Sequence, residues 1–397
     1  MRIIQIGSTL TGAQKEIEEA IHCSAIAHGD ESLILFACGM PSMPRELCYE
    51  SKVENLITRG LRKYVTKSSH CSALQTIRLI RHIKRFKPDI VHLHILHHGY
   101  TDYELLLRYL GKLKIPVVYT MHDMWAFTGG CYHYSELKCN GYKKGCDNCP
   151  AEKSDLDIER NKTSQSYYKK KRLLKTMDRL YIVTVSNWVK QELQESFFAD
   201  YPITVISNGM KYDTSFDCLK KIKSKKYKSL LSVATSWTLR KGIYLLMELA
   251  QELGPEYRIK LIGSVSEEIK NRAPSNISFL GYCNNRRELF QYYNESDLYV
   301  SASQEETFGM TFVEAAFMGT RSVGYNSTAI SETLAMVHGN TVDEYSAKAF
   351  ASAIREIFMR KNLKLSEKQV AEVRRRFSSE RMSEDYLNLY SRILNGD

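Results

Sequence analysis

The chain of 397 residues has no apolar stretch long enough to cross a bilayer, and it is short of acidic residues. The run from Met1 to Gly7 is strand-like and lacks the length of a signal peptide, so the sequence predicts a cytoplasmic protein. No internal repeat or low-complexity segment is present. With 45 Asp and Glu against 56 Lys and Arg, the formal net charge is +11. This excess predicts an anionic partner, which could be nucleic acid, an acidic membrane surface or a phosphorylated ligand.

Acidic residues are missing altogether from residues 55–88, a segment rich in Lys and Arg. Its second half has helical spacing, with an apolar face and a basic remainder. The apolar face consists of Leu79, Ile80, Ile83 and Phe86, and the basic residues are Arg78, Arg81, Lys84 and Arg85. Two interpretations remain open: the helix docks on its own domain through the apolar face, or it lies on the anionic surface of the inner membrane.

Apolar runs alternate with helical patterns along most of the chain. Strands are predicted at 2–7, 32–37, 89–94, 116–121, 180–185 and 203–206, and then at 229–234, 258–262, 277–280, 298–301 and 321–324. Nearly continuous apolar strands that alternate with helices indicate a parallel sheet covered on both faces. Two such arrays predict an α/β protein of two Rossmann-like domains that face a central cleft.

The lysine-rich run 220–228 has the composition of an exposed connector. We therefore predict an N-terminal domain at 1–207 and a C-terminal domain at 208–376. The last helix, within 377–397, is predicted to pack back on the N-terminal domain.

The loop at 303–315 follows the apolar strand 297–302 and leads into a predicted helix at 312–318. Loops at the carboxyl ends of parallel strands bind ligands in open α/β folds, and the amides that open a helix attract phosphates. Those amides belong to Phe308, Gly309, Met310 and Thr311. Glu306 and Glu314 flank them, with Glu314 expected in the first helical turn, and each carboxylate can accept hydrogen bonds from sugar hydroxyls. An ordinary helix start with solvated acids is the alternative.

Other strand ends carry candidate ligand-binding residues. Gly12 lies in a loop after the first strand, but neither the dinucleotide fingerprint nor a P-loop motif is complete there. Arg240 and Lys241 follow the strand 230–234 and could neutralise a diphosphate. His122 follows the strand 117–121, where it could hydrogen-bond a substrate.

Four cysteines fall in the loop 131–149, at Cys131, Cys139, Cys146 and Cys149. The last two have the spacing of a zinc knuckle, whereas the first two are further apart than such pairs usually are. A structural zinc site, redox-linked disulfides and unligated thiols all remain open.

The string from Glu306 to Ala315 resembles the E-x7-E motif of the family 4 retaining glycosyltransferases, which have the two-domain GT-B fold. Arg240-Lys241-Gly242, Asn208-Gly209 and His122-Asp123 extend the resemblance over nearly the whole chain. Residues 122–131, together with Gly145-Cys146 and Cys149-Pro150, are similar to a bacterial subgroup of capsule and exopolysaccharide enzymes.

The resemblance implies a metal-independent, retaining transfer of a sugar from a nucleotide-sugar to a saccharide or lipid-linked acceptor, with no cofactor required for catalysis and no nucleic acid as partner. It implies catalytic roles for His122, Arg240, Lys241 and Glu306. It also implies that the N-terminal domain lies on the acceptor side and that the C-terminal domain binds the nucleotide. Glu314 would bind the ribose, while residues 308–311 and the Gly12 loop would approach the phosphates. Two departures are Ser236, where the family usually has Arg, and Lys211, where it usually has Asp. The alternatives are a zinc-stabilised nucleic-acid-binding protein and a GT-B protein that binds nucleotide without turnover.

Overall fold

The computed structural model describes residues 1–9, 12–49, 73–97, 99–151, 160–218, 226–360 and 362–396. The chain divides into two compact units. The first unit comprises Met1–Lys211 and Ser379–Asp397, and the second comprises Tyr212–Ser378. Each unit contains one sheet whose paired strands all run parallel, so the predicted α/β class is confirmed.

The first unit has a seven-stranded sheet in the order β3-β2-β1-β4-β5-β6-β7. The strands are β1 (Arg2–Thr9), β2 (Glu31–Cys38), β3 (Glu46–Cys48), β4 (Ile90–Leu93), β5 (Val117–Met121), β6 (Leu180–Thr184) and β7 (Ile203–Val205). The helices are α1 (Gly12–Ala27), α2 (Ala73–Phe86), α3 (Tyr103–Leu110), α4 (Gly141–Lys144), α5 (Thr163–Leu174) and α6 (Asn187–Gln194), with α14 (Ser379–Asn395) from the end of the chain.

The second unit has a six-stranded sheet in the order β10-β9-β8-β11-β12-β13. The strands are β8 (Lys228–Ser236), β9 (Tyr257–Ser264), β10 (Ile277–Gly281), β11 (Leu298–Ser301), β12 (Ser322–Tyr325) and β13 (Asn340–Val342). The helices are α7 (Ile243–Leu253), α8 (Glu267–Arg272), α9 (Arg286–Glu295), α10 (Met310–Phe317), α11 (Thr328–Met336), α12 (Ala347–Phe358) and α13 (Glu367–Arg376).

The strand order reverses once in each sheet, between β1 and β4 in the first unit and between β8 and β11 in the second. Central strands are buried on both faces: Ile3 and Ile4 of β1, on opposite sides of the sheet, are both fully buried. The loops after the two strands at such a reversal diverge to opposite faces of the sheet and leave a crevice for a ligand. The fold therefore places one candidate crevice in each unit.

Helix α14 packs on α1 within the first unit. Met382, Tyr386 and Tyr390 are fully buried and share a core cluster with Ile3 and Ile21. Burying large side chains of this kind stabilises a domain by roughly 1.5–3 kcal/mol each. The end of the chain is therefore part of the first unit's core.

The burial of helix α2 distinguishes the two interpretations of the apolar face of the basic segment. Leu79, Ile80 and Ile83 are buried against the first unit, so this face docks on its own domain. The opposite side exposes Leu74 and Ile77 next to basic residues. Residues 55–72 of the predicted membrane segment lie outside the described residues. Among the described residues, no helix is long and apolar enough to span a bilayer.

Candidate functional site

The loops after β8 and β11 meet at the carboxyl edge of the second sheet. The amide of Gln304 donates a hydrogen bond to the carbonyl of Arg240 across 3.0 Å. At Gly242, which has φ of +72°, an added Cβ would lie 2.2 Å from the carbonyl oxygen of Ala302. Only glycine combines this backbone conformation with so close an approach. Gly242 therefore allows the two loops to touch and fixes where Arg240 and Lys241 stand.

Lys241 and Glu306 form an ion pair between these two loops. Burial by itself raises the pKa of Glu306, but the Lys241 ammonium, Ser303 and Arg240 outweigh it and hold the pKa below its ordinary value. Glu306 is therefore ionised at neutral pH. Both side chains retain about a quarter of their exposure, at 24% for Lys241 and 22% for Glu306, so a ligand can reach them.

The loop that carries Glu306 is held from the start of α11. The amide of Glu306 donates to Thr328 Oγ1 over 3.2 Å, and Ser327 Oγ donates to the Gln304 carbonyl over 2.8 Å. Thr328 has φ of +51°, a conformation that costs free energy for a β-branched residue. These contacts fix the main chain on both sides of Glu305.

Helix α10 begins at Met310, two residues earlier than predicted, with Gly309 as its N-cap at φ of +89°. The early start puts Glu314 in the second turn and not in the first, which corrects the prediction. The Phe308 side chain is buried, and its carbonyl accepts from Thr333 Oγ1 at 2.5 Å. The loop therefore offers a ligand its backbone and not the Phe308 ring, which packs in the core.

Glu314 accepts a hydrogen bond from the hydroxyl of Tyr293 on α9, at 2.7 Å. Burial raises the pKa of Glu314, while Tyr293 and the nearby Arg286 act against that rise. Tyr293 is fully buried, so its hydroxyl holds the carboxylate from the interior of the unit. Sequence reasoning missed Tyr293, because the pairing depends on two helices that the sequence does not show to be neighbours.

His122 follows β5 in the first unit, and Asp123 beside it accepts from two groups. His97 Nε2 lies 2.6 Å from Asp123 Oδ2, and the Trp125 amide donates to Oδ1 at 2.9 Å. Burial lowers the pKa of His122 to about 4, although the negative charge of Asp123 acts in the opposite direction. The imidazole of His122 is therefore neutral at physiological pH.

The structure groups the predicted site residues by unit. Arg240, Lys241, Glu306, residues 308–311 and Glu314 all lie on loops or helices that follow β8 and β11 in the second unit. Gly12, exposed at φ of +61°, follows β1 in the first unit. His122 follows β5, which is separated from β1 in the sheet by β4.

The four cysteines line one cavity in the first unit, together with Thr128, Gly129 and Tyr142. Burial raises the pKa of Cys131 to about 12 and that of Cys146 to about 11, even though the Gly129 amide donates to the Cys146 sulfur at 3.0 Å. Among the described residues, no three or more His, Cys, Asp or Glu side chains are arranged to hold a metal ion. The structural zinc site stays a prediction.

Two family models match consecutive parts of the chain. Residues 27–213 match "Glycosyltransferase Family 4", and residues 218–376 match "Glycosyl transferases group 1". The chain is 24% identical over 324 residues to a putative colanic acid biosynthesis glycosyl transferase, WcaC, of Escherichia coli K12, an alignment that covers 77% of each protein.

Solved structures of several proteins share the fold. Sucrose-phosphate synthase from Thermosynechococcus elongatus superposes with a TM-score of 0.72 at 13% identity, over 100% of both chains. HepE of Anabaena in complex with UDP gives a TM-score of 0.63 at 13% identity, over 98% of this chain and 100% of HepE. At such low identity the likeness supports the fold alone, which is the GT-B fold.

Proposed function

Since the chain belongs to the glycosyltransferases that join a Glycosyltransferase Family 4 domain to a glycosyl transferases group 1 domain, we propose that it transfers a sugar from a nucleotide-sugar with retention of configuration. The observation that carries the proposal is the Lys241–Glu306 ion pair. It lies at the strand-order reversal of the second sheet, beside the start of α10. This arrangement offers cations, amides and an ionised carboxylate to a ligand that has a diphosphate and a sugar.

The nucleotide-sugar would bind along the carboxyl edge of the second sheet. Glu314, oriented by Tyr293, accepts from the ribose hydroxyls, and the amides of residues 308–311 approach the diphosphate. Glu306 accepts hydroxyls of the donor sugar. In the first unit, we propose that Gly12, the exposed first residue of α1, approaches a phosphate and that His122 offers a neutral imidazole to the sugar.

In the proposed reaction, the acceptor hydroxyl attacks the anomeric carbon on the face that the nucleotide leaves. The bond from that carbon to the phosphate oxygen breaks, and this oxygen takes the proton of the acceptor. Arg240 and Lys241 stabilise the negative charge that grows on the diphosphate, which is the role that a divalent cation plays in other enzymes. We therefore propose that transfer needs no metal or other cofactor, so turnover should be unchanged by EDTA.

The acceptor is proposed to be a saccharide or a lipid-linked saccharide in bacterial surface polysaccharide biosynthesis, at the cytoplasmic face of the inner membrane. Similarity to the colanic acid glycosyl transferase of E. coli supports this class of pathway. The exposed side of α2, where Leu74 and Ile77 stand beside Arg81, Lys84 and Arg85, supports contact with an anionic membrane.

Replacing Glu314 by Gln should weaken nucleotide binding about 10-fold, because an amide cannot accept at both of its terminal atoms. Thermal-shift titration with a panel of nucleoside diphosphates and nucleotide-sugars measures the effect, since ligands that bind only the folded state raise the melting temperature. The control is Glu256→Gln, in an exposed ion pair with Lys228. The donor site assignment fails if no nucleotide-sugar stabilises the wild-type protein.

Neutralising Arg81, Lys84 and Arg85 together should reduce binding to phosphatidylglycerol vesicles about 100-fold at low salt, at about 1 kcal/mol for each charge. Arg78 is left in place, because its guanidinium donates to the Tyr49 carbonyl at 2.9 Å. The matched control neutralises Lys270, Arg272 and Lys348, which are basic residues of the second unit. Equal vesicle sedimentation of both variants would remove the membrane contact from the proposal.

A further inference from the structure

A chain of buried hydrogen bonds runs from helix α1 to His122 inside the first unit. Gln5 Nε2 donates to the carbonyl of Glu18 at 2.9 Å, and Gln5 Oε1 lies 3.2 Å from His94 Nε2. His94 Nδ1 lies 3.0 Å from His122 Nε2. Gln5 is fully buried and His94 is 1% exposed, so water does not compete for these contacts.

The direction of each hydrogen bond follows from the anchor at Glu18. A main-chain carbonyl can only accept, so the amide nitrogen of Gln5 faces it and the Gln5 oxygen faces His94. That oxygen needs a donor, and His94 Nε2 must therefore carry a proton. Burial, together with the adjacent imidazoles of His92 and His122, holds the pKa of His94 well below its ordinary value. His94 is thus neutral, and its Nδ1 is an acceptor.

The acceptor on His94 fixes the proton on the next ring. His122 Nε2 must donate to His94 Nδ1, so His122 carries its single proton at Nε2 and keeps a lone pair at Nδ1. The two rings stack at 18° with centroids 5.3 Å apart, which restricts rotation of the His122 ring. Asp123 acts on His122 through its negative charge, while its Oδ2 lies against His97 and its Oδ1 accepts from Trp125.

We infer that Gln5 and His94 are positioning residues that hold His122 in the Nε2–H tautomer and present Nδ1 as a hydrogen-bond acceptor. Such an acceptor selects a hydroxyl group and does not bind a phosphate oxygen, which has no proton to donate at neutral pH. The identification of that hydroxyl with one on the donor sugar rests on the proposed function. On that function, His122 accepts a hydrogen bond from the sugar.

The tautomer is measured directly by long-range proton–nitrogen NMR on protein labelled with ¹⁵N-histidine, in the absence of ligand. His122→Gln identifies the His122 signals by their loss. The expected result is a protonated Nε2 and a bare Nδ1. A protonated Nδ1 in the wild-type protein would overturn the inference, whatever the activity. A protonated Nε2 in a protein that turns over no nucleotide-sugar would uphold the tautomer and reject the proposed function.

Two variants test whether Gln5 acts through His94. His94→Phe and Gln5→Leu should each lower kcat/KM roughly 10-fold and let His122 populate the Nδ1–H tautomer. Because Gln5 acts on His122 only through its hydrogen bond to His94, kcat/KM of the double variant should be no more than about twofold lower than that of His94→Phe. Additive losses would show that the two residues act separately and would overturn the inference.

His92→Phe is the matched control for loss of a buried imidazole. His92 is fully buried, with its ring centroid 4.0 Å from that of His94, but it bonds to Thr120 and Tyr390 and not to the chain that ends at His122. It should lower the melting temperature as His94→Phe does and leave the His122 signals in place. If His92→Phe changed the tautomer of His122 as much as His94→Phe does, loss of packing would explain the effect and the inference would be overturned.

Discussion

Lys241→Met is expected to lower kcat by two to three orders of magnitude. The change keeps the length of the side chain but removes the cation that would stabilise the departing diphosphate, and one lost group of this kind costs about 10²- to 10³-fold. It also leaves Glu306 without its ion-pair partner. The measurement is the initial rate of nucleoside diphosphate release in the presence of acceptor. Lys348→Met, at an exposed position of helix α12, is the control for removal of a positive charge.

The pH dependence of the residual activity should change in a definite direction. In the wild-type protein Lys241 and its neighbours outweigh burial and hold the pKa of Glu306 below its ordinary value. Without Lys241, burial dominates and the pKa of Glu306 rises. The activity of Lys241→Met should therefore fall away at a higher pH than that of the wild type as the solution is acidified. A variant with near wild-type kcat and an unshifted acid limb would rule out catalysis by this pair.

Gly242→Ala is expected to destabilise the protein by about 3–5 kcal/mol and to abolish most of its activity. At φ of +72° any Cβ is strained, and this one would stand 2.2 Å from the carbonyl oxygen and 2.5 Å from the Cβ of Ala302. These two Ala302 atoms directly follow β11 and cannot easily shift, so the loop that carries Arg240 and Lys241 must move away from Glu306. Thermal unfolding and kcat should fall together.

Gly281→Ala separates the two costs at Gly242. Gly281 has a similar φ of +74°, but an added Cβ there meets no atom within 4 Å. It should therefore show only the conformational penalty, about 1 kcal/mol, with activity retained. Should the two variants lose equal stability, the contact between the β8 and β11 loops would not be the reason for glycine at position 242.

The fold was predictable because its strands are buried on both faces and read as apolar runs. The prediction at 298–301 coincides with β11, and that at 180–185 extends β6 by one residue. Strands β3 and β13, of three residues each, were missed because they begin with the polar residues Glu46 and Asn340, whereas the equally short β7 begins with Ile203. The start of α10 was placed two residues late, because Gly309 and Met310 do not resemble a polar N-cap and first turn.

Local sequence determined the chemistry that each loop offers: two acids around a helix start, an adjacent Arg and Lys, and a His after a strand. It determined this because a strand followed by polar residues and a helix pattern marks a carboxyl-edge loop wherever its neighbours lie. Only the tertiary structure decided which side chains meet. The Lys241–Glu306 pair joins positions 65 residues apart, because β8 and β11 are adjacent at the reversal of strand order. The line from Gln5 through His94 to His122 depends in the same way on the adjacency of β1, β4 and β5. Strand order is set by the packing of whole elements, so it cannot be deduced from a single sequence.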